Sequence, residues 1–138
     1  MANKVNGGCL CGAVRFELDR DQVVMTASCH CKDCQRSTGS GFTTFCGVPE
    51  SGFEVTSGDL ASYEVTGESG GKVRRWFCPG CGSPIKSRAE AVGELWFVKA
   101  GAIDDASWVK PDMTFWSVSA VPWAPVVPGA AVHERNPG

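Results

Sequence analysis

Cys29-His30-Cys31-Lys32-Asp33-Cys34 places three thiols within six residues. Thiolates this close suit one tetrahedral soft-metal ion, for which zinc is the default choice. A zinc ion held by three protein ligands keeps its fourth position open, and an open position separates a catalytic zinc from a structural one. Two further thiol pairs stand at Cys9-x-Cys11 and Cys78-Pro79-Gly80-Cys81. In the second, Pro79 presets its φ for a tight turn and the glycines tolerate the backbone that a knuckle needs. Two thiolates do not close a zinc site. Cys9 and Cys11 are the natural complement, because using them leaves the triplet intact. The expectation is therefore two zinc ions: a closed structural site at Cys9, Cys11, Cys78 and Cys81, and an open catalytic site at Cys29, Cys31 and Cys34. The four-thiolate site would carry a net negative charge, and Lys72, Arg74, Arg75 and Lys86 are near enough in sequence to offset it.

Competing readings of these residues follow from the same chemistry. Eight cysteines could make four disulfides, but C-x-C and C-x-x-C are metal-ligand spacings. A redox C-x-x-C at Cys78 would need a βαβ pattern, which the chain lacks. The triplet could be closed by His30 or by Cys46. His30 would have to turn its ring back between two ligands, and Cys46 lies on an expected strand, where it reads as a buried free thiol. Lys32 and Arg36, beside the triplet, are candidates to anchor a substrate carboxylate, or simply to neutralise the thiolates. Asp104-Asp105 reads as a helix cap before Ala106-Ser107-Trp108 rather than as a proton-transfer pair. Trp96, Trp108, Trp116 and Trp123 read as core residues, and His133 as solvent-exposed.

The elements that must position these thiols are strands. Gly 17 and Pro 8 are high for a helical protein, and no segment carries the apolar period of a long amphipathic helix. Strands are expected at 12–18, 23–28, 42–48, 53–56, 60–65, 72–77, 85–88, 95–99 and 113–119. The first two are expected to form a hairpin that brings Cys9-Cys11 and the triplet to one end of a sheet. Residues 32–37 read as one helical turn, and 67–71 as a polar hairpin tip. Residues 122–138, with four prolines, read as an irregular tail packed over the sheet through Trp123. At 138 residues the chain suits a single domain, 1–138, with one modest core.

The net charge of −2 offers no general attraction to nucleic acid or to an anionic membrane. No apolar run approaches the roughly 20 residues that span a bilayer. Residues 1–8 lack the basic-then-apolar pattern of a signal peptide, so a cytoplasmic address with reduced thiols is expected.

Taken together, Gly8-Cys9-Leu10-Cys11-Gly12, Cys29 through Ser40, and Phe77-Cys78-Pro79-Gly80-Cys81-Gly82-Ser83-Pro84 make the sequence resemble the glutathione-dependent formaldehyde-activating enzyme (GFA) family, which includes centromere protein V-like proteins. Ala100 through Asp105 and Ser119-Ala120-Val121-Pro122-Trp123 resemble later family stretches. The resemblance implies a mainly β fold, the β-tent of several small antiparallel sheets with zinc knuckles shared with zinc-binding Rab accessory proteins. It implies a structural zinc at Cys9, Cys11, Cys78 and Cys81 and a second zinc at Cys29, Cys31 and Cys34. It also implies a carbon–sulfur lyase or synthase reaction, the reversible addition of a thiol such as glutathione to formaldehyde or a small carbonyl. The rival expectation is a non-catalytic zinc-binding module that recognises a protein. A fourth protein ligand on the second metal would favour the module, and an open cleft would favour the enzyme.

Overall fold

A computed structural model describes residues 3–136, and within them the chain forms two β-sheets and one short helix. β1 (Lys4–Gly8), β2 (Arg15–Asp19) and β5 (Phe53–Ser57) make a three-stranded antiparallel sheet in the order β1-β2-β5. The second sheet has eight strands: β3 (Met25–Cys29), β4 (Thr43–Val48), β6 (Ala61–Thr66), β7 (Lys72–Phe77), β8 (Pro84–Ala89), β9 (Trp96–Lys99), β10 (Met113–Phe115) and β11 (Ala131–Val132). Their order is β11-β10-β3-β4-β9-β8-β7-β6. Pairing is antiparallel except at one end, where β10 runs parallel to both β3 and β11. The only α-helix among the described residues is α1 (Lys32–Thr38), and no helix is long and apolar enough to cross a membrane.

Strand alternation explains how one sheet serves two cores. From β4 and β9, Cys46, Val48 and Val98 join Phe16 and Leu18 of β2 in a core between the sheets. The intervening residues Phe45 and Phe97 point the other way and pack with Ala27, Phe115, Trp116 and the cysteine triplet. Leu18, Val48, Ile85 and Val98 are each 0% exposed.

The expected hairpin of the first two strands is not formed. Asp19 ends β2 by accepting hydrogen bonds from the Asp21 backbone and the Gln22 side chain, at 3.1 and 2.8 Å. The chain then turns into the other sheet, and β2 pairs instead with β1 and β5. β1 carries two glycines in five residues, which hides its strand character. The hairpin at 67–71 and the β8–β9 pairing are as expected.

The C-terminal stretch also differs. The strand at 113 stops at Phe115 because Trp116 takes a left-handed backbone, φ 59°, ψ 42°. Trp123 is 70% exposed and touches the chain at Gly41 rather than lying over the sheet face, while Ala124 beside it is buried. Ala131–Val132 then adds a strand to the sheet edge, and His133 is half-buried with its ring edge-on to Phe115 at 5.8 Å. Asn136 accepts a hydrogen bond from Trp116 Nε1 at 2.8 Å and reaches Ser69 Oγ at 3.3 Å in the β6–β7 hairpin tip. β6 and β11 are the two edges of the eight-stranded sheet. The sheet therefore curls until its edge regions are bridged by one asparagine.

Gly58, between β5 and β6, has φ +84°, and a Cβ there would strike the Ala13 carbonyl oxygen. Gly58→Ala is expected to cost at least about 2 kcal/mol, lowering the thermal midpoint by roughly 5 °C or more. Gly70 has φ +91° but open space around it. Gly70→Ala should cost clearly less in the same melting experiment, and equal losses would refute the steric account.

Candidate metal centres

The first centre joins the two sheets. Cys9 and Cys11 lie in the turn between β1 and β2, while Cys78 and Cys81 lie in the turn between β7 and β8. The sulfurs of all four fall within 4.8 Å of one another. Cys9 Sγ stands 3.6 Å from Cys11 Sγ, which stands 3.8 Å from Cys78 Sγ. A tetrahedron with metal–sulfur bonds of about 2.3 Å places its sulfurs about 3.8 Å apart, so the donors have the spacing that zinc requires.

Both turns aim donors at their sulfurs. The Val14 amide donates to Cys9 Sγ at 3.2 Å and holds that thiol below its usual range. The Gly82 amide closes the second turn onto Cys78 O at 2.8 Å, with Gly82 at φ 79°. Ser83 ties the turns together. Its hydroxyl accepts from the Leu10 amide at 3.0 Å and lies 3.1 Å from Cys81 Sγ. That contact, with the Ser83 and Cys11 amides, lowers the Cys81 thiol to about 5. Ser83 was not singled out by spacing, since a serine after a knuckle carries no signal of its own.

The second centre is assembled where β3 runs into α1. Cys29 ends β3, and Cys31 caps the helix by accepting from the Cys34 amide at 3.3 Å. The three sulfurs lie within 4.8 Å of one another, and no fourth His, Cys, Asp or Glu joins them among the described residues. Cys29 and Cys34 are buried and Cys31 is half-buried. Hydrogen bonds from Cys29 and Cys31 pull Cys34 down to about 3, while the same contacts push Cys29 up. Three sulfurs this close are a donor set that suits a soft cation.

The residues weighed as a fourth ligand lie elsewhere. His30 is wholly buried, stacked on Phe42 at 5.2 Å, and both its ring nitrogens lack a protein partner. Burial lowers its pKa. Cys46 belongs to the core between the sheets, with Thr26 Oγ1 4.0 Å from its sulfur.

A cavity of about 140 Å³ lies beside the triplet. Its wall includes Phe45, Phe97, Phe115 and Trp116, and it runs beneath the β6–β7 tip and Asn136. Lys32 and Arg36 do not line it. Both are exposed, and Lys32 bonds Gln35 Oε1 at 3.1 Å. The cations in its wall are Lys72, exposed and paired with Glu64, and the buried Arg75 and Lys99, each 8% exposed. Register places the buried two there: Arg75 pairs with Ser87, Ser87 with Phe97, and Lys99 with Phe45, so these residues share one face of the sheet. Asp104 instead forms a two-pronged ion pair with Arg15, and Asp105 accepts from the Ser107 amide at 3.0 Å in a turn that does not continue as a helix.

A mainly β chain with a four-thiol cluster between sheets and a three-thiol cluster at a cavity defines a cysteine-rich class whose clusters could each hold a metal ion. The profile of the glutathione-dependent formaldehyde-activating enzyme family matches residues 4–119, and the chain belongs to that family. No curated protein matches it. A Rhodobacter sphaeroides protein of known crystal structure, a structural-genomics target, is 22% identical with a TM-score of 0.58, covering 77% of this chain and 91% of that one. At that identity the likeness concerns the fold.

Elemental analysis of chain purified without chelator is expected to give two metal ions per chain. A value near zero would overturn the metal reading. The two centres should also respond unequally. Structural zinc can contribute on the order of 10 kcal/mol to folding, so Cys78→Ser is expected to unfold or aggregate. Cys34→Ser should keep the native circular dichroism and lose one ion. Collapse of both variants would remove the distinction.

Proposed function

We propose that the chain is a zinc-dependent carbon–sulfur lyase or synthase, catalysing the reversible addition of a thiol to formaldehyde or another small carbonyl. The observation that carries this reading is the three-thiol cluster, without a fourth protein ligand among the described residues, set at a cavity. Cys9, Cys11, Cys78 and Cys81 would hold one zinc as a structural clamp, and Cys29, Cys31 and Cys34 would hold the other. When bound at the triplet, zinc would supply a Lewis acid with an exchangeable position.

The chain's own residues do the rest. The Cys31 cap and the Cys34 amide fix the triplet at the start of α1. Phe45, Phe97 and Phe115 give the cavity apolar walls that exclude water and protect a carbonyl from competing hydration. The Cys34 sulfur feels the positive charges of Lys99 and Arg75, which hold negative charge at this end of the cavity. Lys32 and Arg36, outside the cavity lining, are left to influence only the approach of an anionic thiol such as glutathione.

With cobalt in place of zinc, adding glutathione or a small neutral thiol is expected to change the sulfur charge-transfer absorption. Thiol and formaldehyde together should yield the hydroxymethyl thioether adduct by NMR faster than in buffer. Arg36→Ala should alter the glutathione response by less than about threefold, as befits an exposed charge. Absence of any thiol response, with no acceleration of the adduct, would return the chain to the class of non-catalytic interaction modules.

A further inference from the structure

Two buried cations face the cavity without a carboxylate to pair with. Arg75 and Lys99 are each 8% exposed, and neither forms a salt bridge among the described residues. Arg75 Nε is buried with no hydrogen-bond partner. A guanidinium N–H withdrawn from water and left unpaired is costly, and such groups in native proteins call for an explanation. The acidic residues of the cavity lining, Asp33 and Glu68, do not supply it, since Glu68 is exposed and neither pairs with Arg75 or Lys99. The paired β7, β8 and β9 hold Arg75 on the same face as Ser87, so the fork is presented by rigid backbone rather than by a loop.

Neutralising the thiolates accounts for positive charge near Cys34 but not for an unmet directional donor. A planar guanidinium fork is the recognition group for a planar carboxylate, and a lysine ammonium beside it adds a point charge. The cavity, about 140 Å³, is well below the roughly 300–1,000 Å³ that encloses a drug-sized ligand. A tripeptide thiol does not fit within it, and its carboxylates are several bonds from its sulfur. A small molecule bearing carboxylate and carbonyl together does fit.

We propose that Arg75 and Lys99 form a carboxylate subsite, and that the carbonyl substrate is a small carboxylated aldehyde or 2-oxo acid. This rests on the cavity being the reaction site of the proposed function. In the reaction the thiol sulfur forms a bond to the carbonyl carbon, the carbonyl π pair moves to oxygen, and the thiol proton is transferred to that oxygen. Nothing is oxidised or reduced, and the carboxylate held by Arg75 stays unchanged.

The test uses zinc-loaded chain with arginine side chains labelled with ¹⁵N. Acetate and glyoxylate are expected to shift the Arg75 Nε–H resonance saturably, and to leave that of the exposed Arg36 in place. Chloride at equal ionic strength should not reproduce the shift. Calorimetry should show glyoxylate binding at least tenfold tighter than acetaldehyde, with that preference lost in Arg75→Met at unchanged zinc content. If Arg75→Met fails to fold, the wild-type resonance still decides. No movement of Arg75 Nε–H, equal movement with chloride, or no preference for glyoxylate would overturn the subsite. Intact carboxylate binding without any thiol addition would leave the subsite standing and overturn the reaction reading instead.

Discussion

The four-thiol cluster is the constraint on which the rest depends, because it is where the two sheets are tied by side-chain chemistry at their turns. Cys9 and Cys11 leave the three-stranded sheet, Cys78 and Cys81 leave the eight-stranded one, and Ser83 hydrogen-bonds across the gap. A chain of this length buries only part of its unfolded surface, and the core between the sheets is modest. Without a metal the neighbouring thiols push Cys11 up, so the cluster keeps protons and its sulfurs share only weak contacts, whereas a bound metal draws all four in as thiolates. The tie is therefore strong when metal is bound and weak when it is not. That is the physical reason for expecting folding to be coupled to metal here and much less so at the triplet.

Fixing the eight-stranded sheet against its partner leaves the opposite face free for the cavity. The two-residue period then decides what each strand contributes. Val98 goes to the core and Phe97 and Lys99 to the cavity; Cys46 goes to the core and Phe45 to the cavity. A single-residue slip of β9 would exchange these roles and place Val98 in the cavity. Register against β4 and β8, on either side, prevents that.

The cysteine pattern made the metal sites legible because ligand spacing is local: each knuckle is written in consecutive residues, and only the pairing of two knuckles had to be inferred. The strands from Thr43 to Lys99 were legible for a similar reason, being bounded by turn residues and alternating in character. What was not legible is non-local. Arg75 sits in the run Arg74-Arg75, and nothing in the sequence distinguishes the arginine that turns inward from the one that turns out until register is known. Lys99 did carry a hint, as the one charge closing the apolar run Trp96-Phe97-Val98. The first-hairpin expectation failed because adjacency in sequence was read as pairing, whereas Asp19 turns the chain between sheets. Lys32 and Arg36 are near the triplet in sequence, but at i and i+4 they share the face of the short helix that turns away from the buried Cys34, and both are exposed.

Closure of the cavity depends on parts of the chain far from any cysteine. Trp116 is the one non-glycine residue with positive φ among those described, an unfavourable backbone for a bulky side chain. Its indole donates to Asn136, whose amide reaches Ser69 in the opposite hairpin tip. Trp116 and Asn136 both line the cavity, as does Ser69. A left-handed turn at Trp116 ends β10 and lets the backbone bond with the returning segment, where its amide meets Arg135 O at 3.2 Å and that of Ser117 meets His133 O at 3.1 Å. The strained residue is thus held by bonds on three sides, and what it secures is the far wall of the site. The triplet offers the metal donors, but it is the curl of the sheet, fastened at Trp116, that turns an exposed cluster of thiols into an enclosed place with apolar walls and two buried cations.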